Sequence, residues 1–74
     1  VTVVVETVEF PGSSNLMSAT YDPDVENLEV QFNDGSAYTY FSVPASIYRG
    51  LSLAPSAGSY FHRQIKGRYA YEPK

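Results

Sequence analysis

The chain has 74 residues, no cysteine, no tryptophan and a formal net charge of −3. A single domain of this length draws only a few kcal/mol from its core before cross-links are added, and without cysteine neither disulfides nor thiolate metal sites are available. The longest apolar run falls far short of the ~20 residues of a membrane span and follows no basic leader, so neither span nor signal peptide is expected and the chain reads as cytoplasmic.

The net charge conceals a division. Seven of the eight acids precede residue 35 and all five bases follow residue 48. Such a molecule is bipolar, either because acidic strands neutralise basic helices or because a basic face is kept for phosphates or acidic protein.

Residues Val1 to Val8 are dense in β-branched side chains and free of Gly and Pro, which predicts a strand. An uncovered edge of that composition recruits another chain, so it must pair within the fold or across a homodimer. Phe10 to Asn15 interrupts with turn residues, and Leu16 to Tyr21 resumes as a second strand. Asp22, Asp24 and Glu26 then stand at alternate positions, as in a calcium loop. Asn27 and Asn33 occupy the places where that loop needs glycine and glutamate, so a plain hairpin turn is expected and no metal site.

Leu28 to Asn33 alternates apolar and polar residues as a half-buried strand does, and Ser36 to Val43 returns after a turn at Asp34-Gly35. The loop length decides which way the returning strand faces. A two-residue loop puts Ala37, Thr39, Phe41 and Val43 beside Phe32, Val30 and Leu28, leaving Tyr38 and Tyr40 off the helix-covered face as a stacking platform. A three-residue loop, Asn33 to Gly35, sends both tyrosines into the core. Patterning favours the first, unless the first strand or the Tyr69 to Tyr71 tail covers the two rings.

Pro44 to about Ser52 reads as a helix with Ile47 and Leu51 inward, since proline suits the first turn. Ala54-Pro55 breaks it. A second helix opens at Ser56 as N-cap, buries Tyr60 or Phe61 with Ile65, and closes at Gly67; an extended tail, Arg68 to Tyr71, follows. The predicted fold is α+β, an antiparallel meander of three to four strands followed by two short helices packed on one face.

From about Ser13 to Tyr71 the chain resembles the KTSC domain. The residues that carry the resemblance include Ser13-Ser14-Asn15-Leu16, Tyr21-Asp22, Leu28 to Phe32, Tyr38-Thr39-Tyr40, Val43-Pro44, Pro55-Ser56-Ala57-Gly58, Tyr60-Phe61 and Ile65 to Tyr69. On this reading residues 1–12 are an N-terminal strand and turn and residues 13–74 the domain proper. The resemblance implies small bacterial or phage proteins, or the C-terminal part of some lysyl-tRNA synthetases, and through the latter RNA binding. It brings no catalytic residue and no cofactor.

Nothing in the residues themselves builds a reaction centre. His62 is the only histidine, with Arg63 and Lys66 nearby and no acid within helical reach to orient it, so no enzyme is expected. Two binding functions stay open. In one, Arg49, Arg63, Lys66 and Arg68 meet phosphates of RNA or single-stranded nucleic acid while Tyr38, Tyr40, His62 and Tyr69 stack on bases. In the other, a small phage or prophage protein grips a host protein through aromatic anchors such as Tyr48 and Tyr60.

Overall fold

The computed structural model describes residues 5–74. Its elements in chain order are β1 (Glu6–Glu9), β2 (Leu16–Asp22), β3 (Asn27–Phe32), β4 (Ala37–Tyr40), α1 (Ala45–Leu53), α2 (Ala57–Gln64) and β5 (Tyr71–Pro73). All five strands form one antiparallel sheet in the order β1-β2-β3-β4-β5. The expected α+β meander is present with one strand more. The tail after α2 does more than cover the sheet: it pairs with β4, Tyr40 opposite Tyr71 and Tyr38 opposite Pro73. Proline is tolerated there because β5 is an edge strand, whose outer side needs no ladder donor. Of the expected strand Val1 to Val8, residues 1–4 lie outside the described residues, and Glu6–Glu9 pairs within the chain on β2.

Local chemistry explains each turn. After β2 the Asp22 carboxylate accepts from the Asp24 backbone N–H at 3.0 Å, and Glu26 takes a left-handed φ of 58° before β3 begins. The carboxylates that superficially suggested a calcium loop thus shape a hairpin.

The β3–β4 turn has three residues, not two. Val30 faces Tyr38 and Leu28 faces Tyr40 across the ladder, and Phe32 N–H donates to Ser36 O at 2.9 Å. Gly35 N–H donates to Phe32 O at 3.1 Å while Gly35 itself sits at φ 93°, the three-residue loop in which a type I turn is followed by a left-handed glycine. A two-residue loop of the favoured kind needs positive φ at Asp34 as well. Asp34 has none; its carboxylate instead accepts from Ser36 N–H at 2.9 Å and Ser36 Oγ at 2.6 Å, which holds the longer loop. The tyrosines consequently lie on the helix-covered face, contrary to the patterning preference. Val43 is buried as well, although three-residue register alone would turn it outward, because Ser42 at φ 57° ends the alternation and redirects the chain.

The register places Tyr21, Leu28 and Tyr40 in one cross-strand row and Val8, Ala19, Val30 and Tyr38 in the next, all on one face. Both helices cover that face. Tyr48 of α1 stacks on Tyr21 with ring centroids 5.0 Å apart, and Phe61 of α2 meets Phe32 and Tyr40 edge to face at 5.4 and 5.5 Å. The Tyr21 hydroxyl donates to Val43 O at 2.6 Å, so its burial leaves no polar atom unpaired. The other face carries Thr7, Thr20, Glu29, Thr39 and Glu72 in a single row, with no helix over it.

Pro44 stands just before α1 with φ −63°, one residue outside the helix it was expected to begin. Inside, Tyr48 and Leu51 are the buried residues and Ile47 is only half-buried. Ser56 caps α2 through a 3.4 Å contact from Ser59 N–H, Phe61 and Ile65 are buried, and the chain leaves through Gly67 at φ 80°, as expected. The helices meet where Tyr60 crosses Gly50 and donates to Ile47 O at 3.1 Å. A Cβ at Gly50 would overlap the end of the Tyr60 side chain.

Gly50→Ala, which gains up to ~1 kcal/mol of helix propensity at an unobstructed site, is therefore expected to destabilise this protein. In a Tyr60→Ala background the same change should be neutral or favourable. Urea unfolding of the four species checks this, with an expected coupling of about 1 kcal/mol or more between the two positions.

Candidate functional site

A cleft of about 650 Å³ opens between α2 and the β3-β4-β5 part of the sheet. Its apolar wall is a set of rings supplied by four elements: Phe32 from β3, Tyr38 and Tyr40 from β4, Phe61 from α2 and Tyr71 from β5. These rings hold one another. Tyr38 meets Phe32 at 5.7 Å and Tyr71 at 5.8 Å, both edge to face, and Tyr71 lies tilted over Tyr40 at 5.4 Å. Such pairs add about 0.5–1.5 kcal/mol each beyond their buried area. The pairing of β5 with β4 puts Tyr71 in this set, and it is the ring that remains open: 55% exposed against 4% for Tyr40.

A histidine and a lysine stand at the rim. His62 follows Phe61 on α2 and points to solvent beside the buried ring, while Lys66 leaves the helix end where its N–H donates to Phe61 O at 2.9 Å; both line the cleft. Asn15, Asn33 and Asp34 form a polar side, brought there by the loop before β2 and the β3–β4 turn. Those two loops are tied together, since Asn33 N–H donates to Asn15 O at 2.9 Å and Asn33 Nδ2 to Ser13 O at 3.1 Å.

Of the residues singled out from sequence, Tyr38, Tyr40, His62 and Lys66 meet in this cleft. Tyr38 and Tyr40 form its inner wall, not a platform on the bare sheet face, because the three-residue turn inverts them. Arg63 belongs with His62 to a second, wider cleft of about 1230 Å³ on the far side of α2. Arg68 lies beyond the helix and donates from Nε to Arg63 O at 2.8 Å, while Arg63 Nε turns back to donate to Ser59 O at 3.4 Å. Arg49 is exposed on α1 and lines neither cleft. Tyr69 is half-buried against the core. Tyr48 and Tyr60 are not free anchors: the first is 6% exposed and stacked on Tyr21, the second is committed to Ile47 O.

The bipolar charge is only partly consumed by the fold. Lys74, just past β5, reaches over β4 to pair with Glu29 of β3 on the bare sheet face, the one ion pair among the described residues. Arg49, Arg63, Lys66 and Arg68 are exposed with no carboxylate of the described residues within 4.0 Å. Tyr71, Asn33 and Asp34 were absent from the residues picked out as a site. The alternation Tyr69-Ala70-Tyr71-Glu72 carries a strand signal that could have located Tyr71, but Pro73 and the short span weaken it.

Burial raises the phenols of Tyr21, Tyr40 and Tyr48 above their ordinary value, with smaller contributions from Glu26 and Asp22 at Tyr21, from Tyr71 and Tyr38 at Tyr40, and from Glu6 at Tyr48. The hydrogen bonds that Asp34 accepts from the side chain and then the backbone of Ser36 lower its carboxyl. A raised phenol holds its proton more tightly folded than unfolded. Its stabilising contribution is complete below the ordinary value of 10.0 and is lost as the pH climbs through the raised folded values. Ultraviolet titration is therefore expected to show three of the seven tyrosines ionising late, together with the loss of circular dichroism at alkaline pH. In the same protein Tyr40→Ala should cost the ~3–5 kcal/mol of a buried aromatic truncation, and Tyr71→Ala clearly less.

Comparison with known proteins gives a consistent result. The model of the KTSC domain matches residues 12–69. A lysine–tRNA ligase of Nostoc sp. is 42% identical over 62 residues, which are 84% of this chain and 11% of the ligase. An uncharacterized protein of Stutzerimonas stutzeri is 39% identical over 57 residues, 77% of this chain and 80% of its own length. The crystal structure of a KTSC domain protein from Yersinia pestis superposes with a TM-score of 0.88 at 31% identity, covering 96% of this chain and 99% of that one. This chain thus spans a small fraction of the ligase it matches and most of the smaller proteins. It belongs to the KTSC domain family.

Proposed function

We propose that the chain is a non-enzymatic binding module for single-stranded nucleic acid, RNA foremost. The observation that carries the reading is an aromatic cleft with one open ring, Tyr71, that has His62 and Lys66 at its rim, with Arg63 and Arg68 farther round the end of α2 and none of Lys66, Arg63 and Arg68 in an ion pair among the described residues. An unpaired base stacked on Tyr71 accounts for the first feature, and the phosphates on either side of it for the second. Stacking of this kind is worth about 1–3 kcal/mol per base and tolerates any sequence, while the phosphate contacts make binding salt-dependent. The acids of the first half work against approach from other sides. Support also comes from the relatives: in lysine–tRNA ligases the matching segment is part of a protein whose name couples it to tRNA.

A protein partner is the second reading. Leu53 at the end of α1 is 76% exposed beside the wider cleft, whose rim also carries Phe10 and Pro55. This fits a small phage or prophage protein that holds a host factor by an apolar contact, with Leu53 in the place of Tyr48 and Tyr60.

Fluorescence anisotropy with a labelled single-stranded RNA separates the two. Tyr71→Ala is expected to weaken binding about tenfold or more. Lys66→Glu or Arg63→Glu should weaken it too, and should make the slope of log affinity against log salt shallower by about 0.7 for each phosphate no longer neutralised. Leu53→Asp should leave binding unchanged. Failure to bind RNA at low salt, with capture of a nuclease-insensitive partner that Leu53→Asp abolishes, would reverse the assignment.

A further inference from the structure

The two outer edges of the sheet are not equivalent, and the parity of their hydrogen bonds shows why. On β5, Phe41 N–H donates to Ala70 O at 2.9 Å and Lys74 N–H to Ala37 O at 2.8 Å, so Ala70, Glu72 and Lys74 bond inward to β4 while Tyr71 and Pro73 turn their backbone groups outward. Pro73 therefore occupies an outward position with no N–H to offer, which closes that edge to a further strand. On β1, Phe10 N–H donates to Met17 O at 2.9 Å in register with the pairs of Val8 with Ala19 and Glu6 with Tyr21, so even-numbered residues bond inward to β2. The N–H and C=O groups of Thr7 and Glu9 point away from the sheet, Val5 continues the alternation, and they meet no strand among the described residues.

The edge of β1 has no proline, lysine or bulge to close it, and Val5 is 51% exposed. Such an edge accepts an antiparallel strand. If that strand is the same edge of a second copy, a two-fold axis relates the two, and outward residues must pair with outward residues, which puts the axis on a residue. Axes on Glu6 or Glu9 set identical carboxylates directly opposite each other, which is unfavourable. An axis on Val8 needs Phe10 in its outermost pair, and Phe10 packs against the core and leads straight into the turn at Pro11-Gly12. An axis on Thr7 sets Thr7 opposite Thr7, Glu6 opposite Val8 and Glu9 opposite Val5, so each carboxylate of the strand meets an aliphatic side chain and no like charges are directly opposed.

We infer that two copies of this chain pair through the outer edges of β1, antiparallel about an axis on Thr7, which joins their sheets into one with both helix layers on the same side. The occupant is a second copy because the edge is complementary to itself in this register. The contact is small, which places the dimer in the weak, concentration-dependent class. The aromatic cleft lies over β3, β4 and β5, away from this edge, so the inference stands apart from the nucleic-acid reading.

Sedimentation velocity on the full chain, from about 10 μM to about 1 mM, is expected to show a monomer converting to a dimer. Thr7→Pro removes the outward N–H at the axis and no inward bond, so it should keep the parent circular dichroism and stay monomeric. Thr7→Lys and Thr7→Glu, at an exposed position, each oppose like charges at the axis and should weaken the dimer about fivefold or more, whereas an equimolar mixture of the two should associate at least as well as the parent. Thr39→Lys adds the same charge to the same sheet face on β4 and should leave association unchanged. A monomer at every concentration overturns the inference and leaves the edge to a strand of another protein; a dimer that a folded Thr7→Pro leaves intact overturns it too. If Thr7→Pro loses its circular dichroism, the Lys and Glu variants decide alone, and their failure to associate on mixing overturns the inference. Tightening by Thr7→Lys would place position 7 opposite Glu9 of the second copy and overturn the axis on Thr7.

Discussion

The turn at Asn33, Asp34 and Gly35 decides on which side of the sheet every residue of β4 falls. Strand side chains alternate, so one residue more or less in the loop exchanges the two faces completely. With three residues, Tyr38 and Tyr40 meet Phe32 and Phe61, and β5 then has a β4 edge on which Tyr71 can be laid over Tyr40. Every ring of the cleft depends on that register. The same Asp34 and Asn33 that hold the loop also border the cleft, so one local arrangement both orders the strand and shapes the site.

A domain of this size without disulfide or metal must take its stability from packing. Aromatic rings serve that purpose here because each removes roughly 150–250 Å² from water on few rotatable bonds. They form a continuous system from Tyr71 through Tyr40, Phe61 and Phe32 to Tyr38, with Tyr21 and Tyr48 stacked separately beneath α1. Tyrosine is well suited to a core that opens into a cleft, since its body packs as an apolar group while its hydroxyl bonds to water or donates to a protein carbonyl. Tyr21 takes the second course with Val43 O, and no buried side-chain polar atom among the described residues lacks a partner.

Charge and structure are divided between the two faces. The bare face of the sheet spends its polar groups on itself, through Thr7 with Thr20, Ser18 with Gln31 and Lys74 with Glu29. Exposed pairs of this kind contribute about 0–1 kcal/mol each. The cations around the end of α2 have no such partners among the described residues, and one of them, Lys66, borders the part of the aromatic core that opens to solvent. That contrast, more than the number of basic residues, is what distinguishes the candidate site from an ordinary solvated surface.

Local signals alone were sufficient for much of this protein. Alternation in Leu28 to Phe32 marks β3, the Ser56 cap and Gly67 bracket α2, and the succession of strand, turn and helix signals leads to the α+β meander. These features rest on neighbours in sequence, where propensity and capping act directly. The placement of Tyr38 and Tyr40 did not, because tyrosine satisfies either face in a polar/apolar pattern and Asp34-Gly35 is compatible with both loop lengths. Only the closed turn, with Ser36 bound by Asp34, and the space beneath α2 filled by large rings settle the choice. The fifth strand was likewise beyond local reading: three residues ending in proline have too little propensity to form alone, and they become a strand because β4, about thirty residues earlier in the chain, offers them an edge.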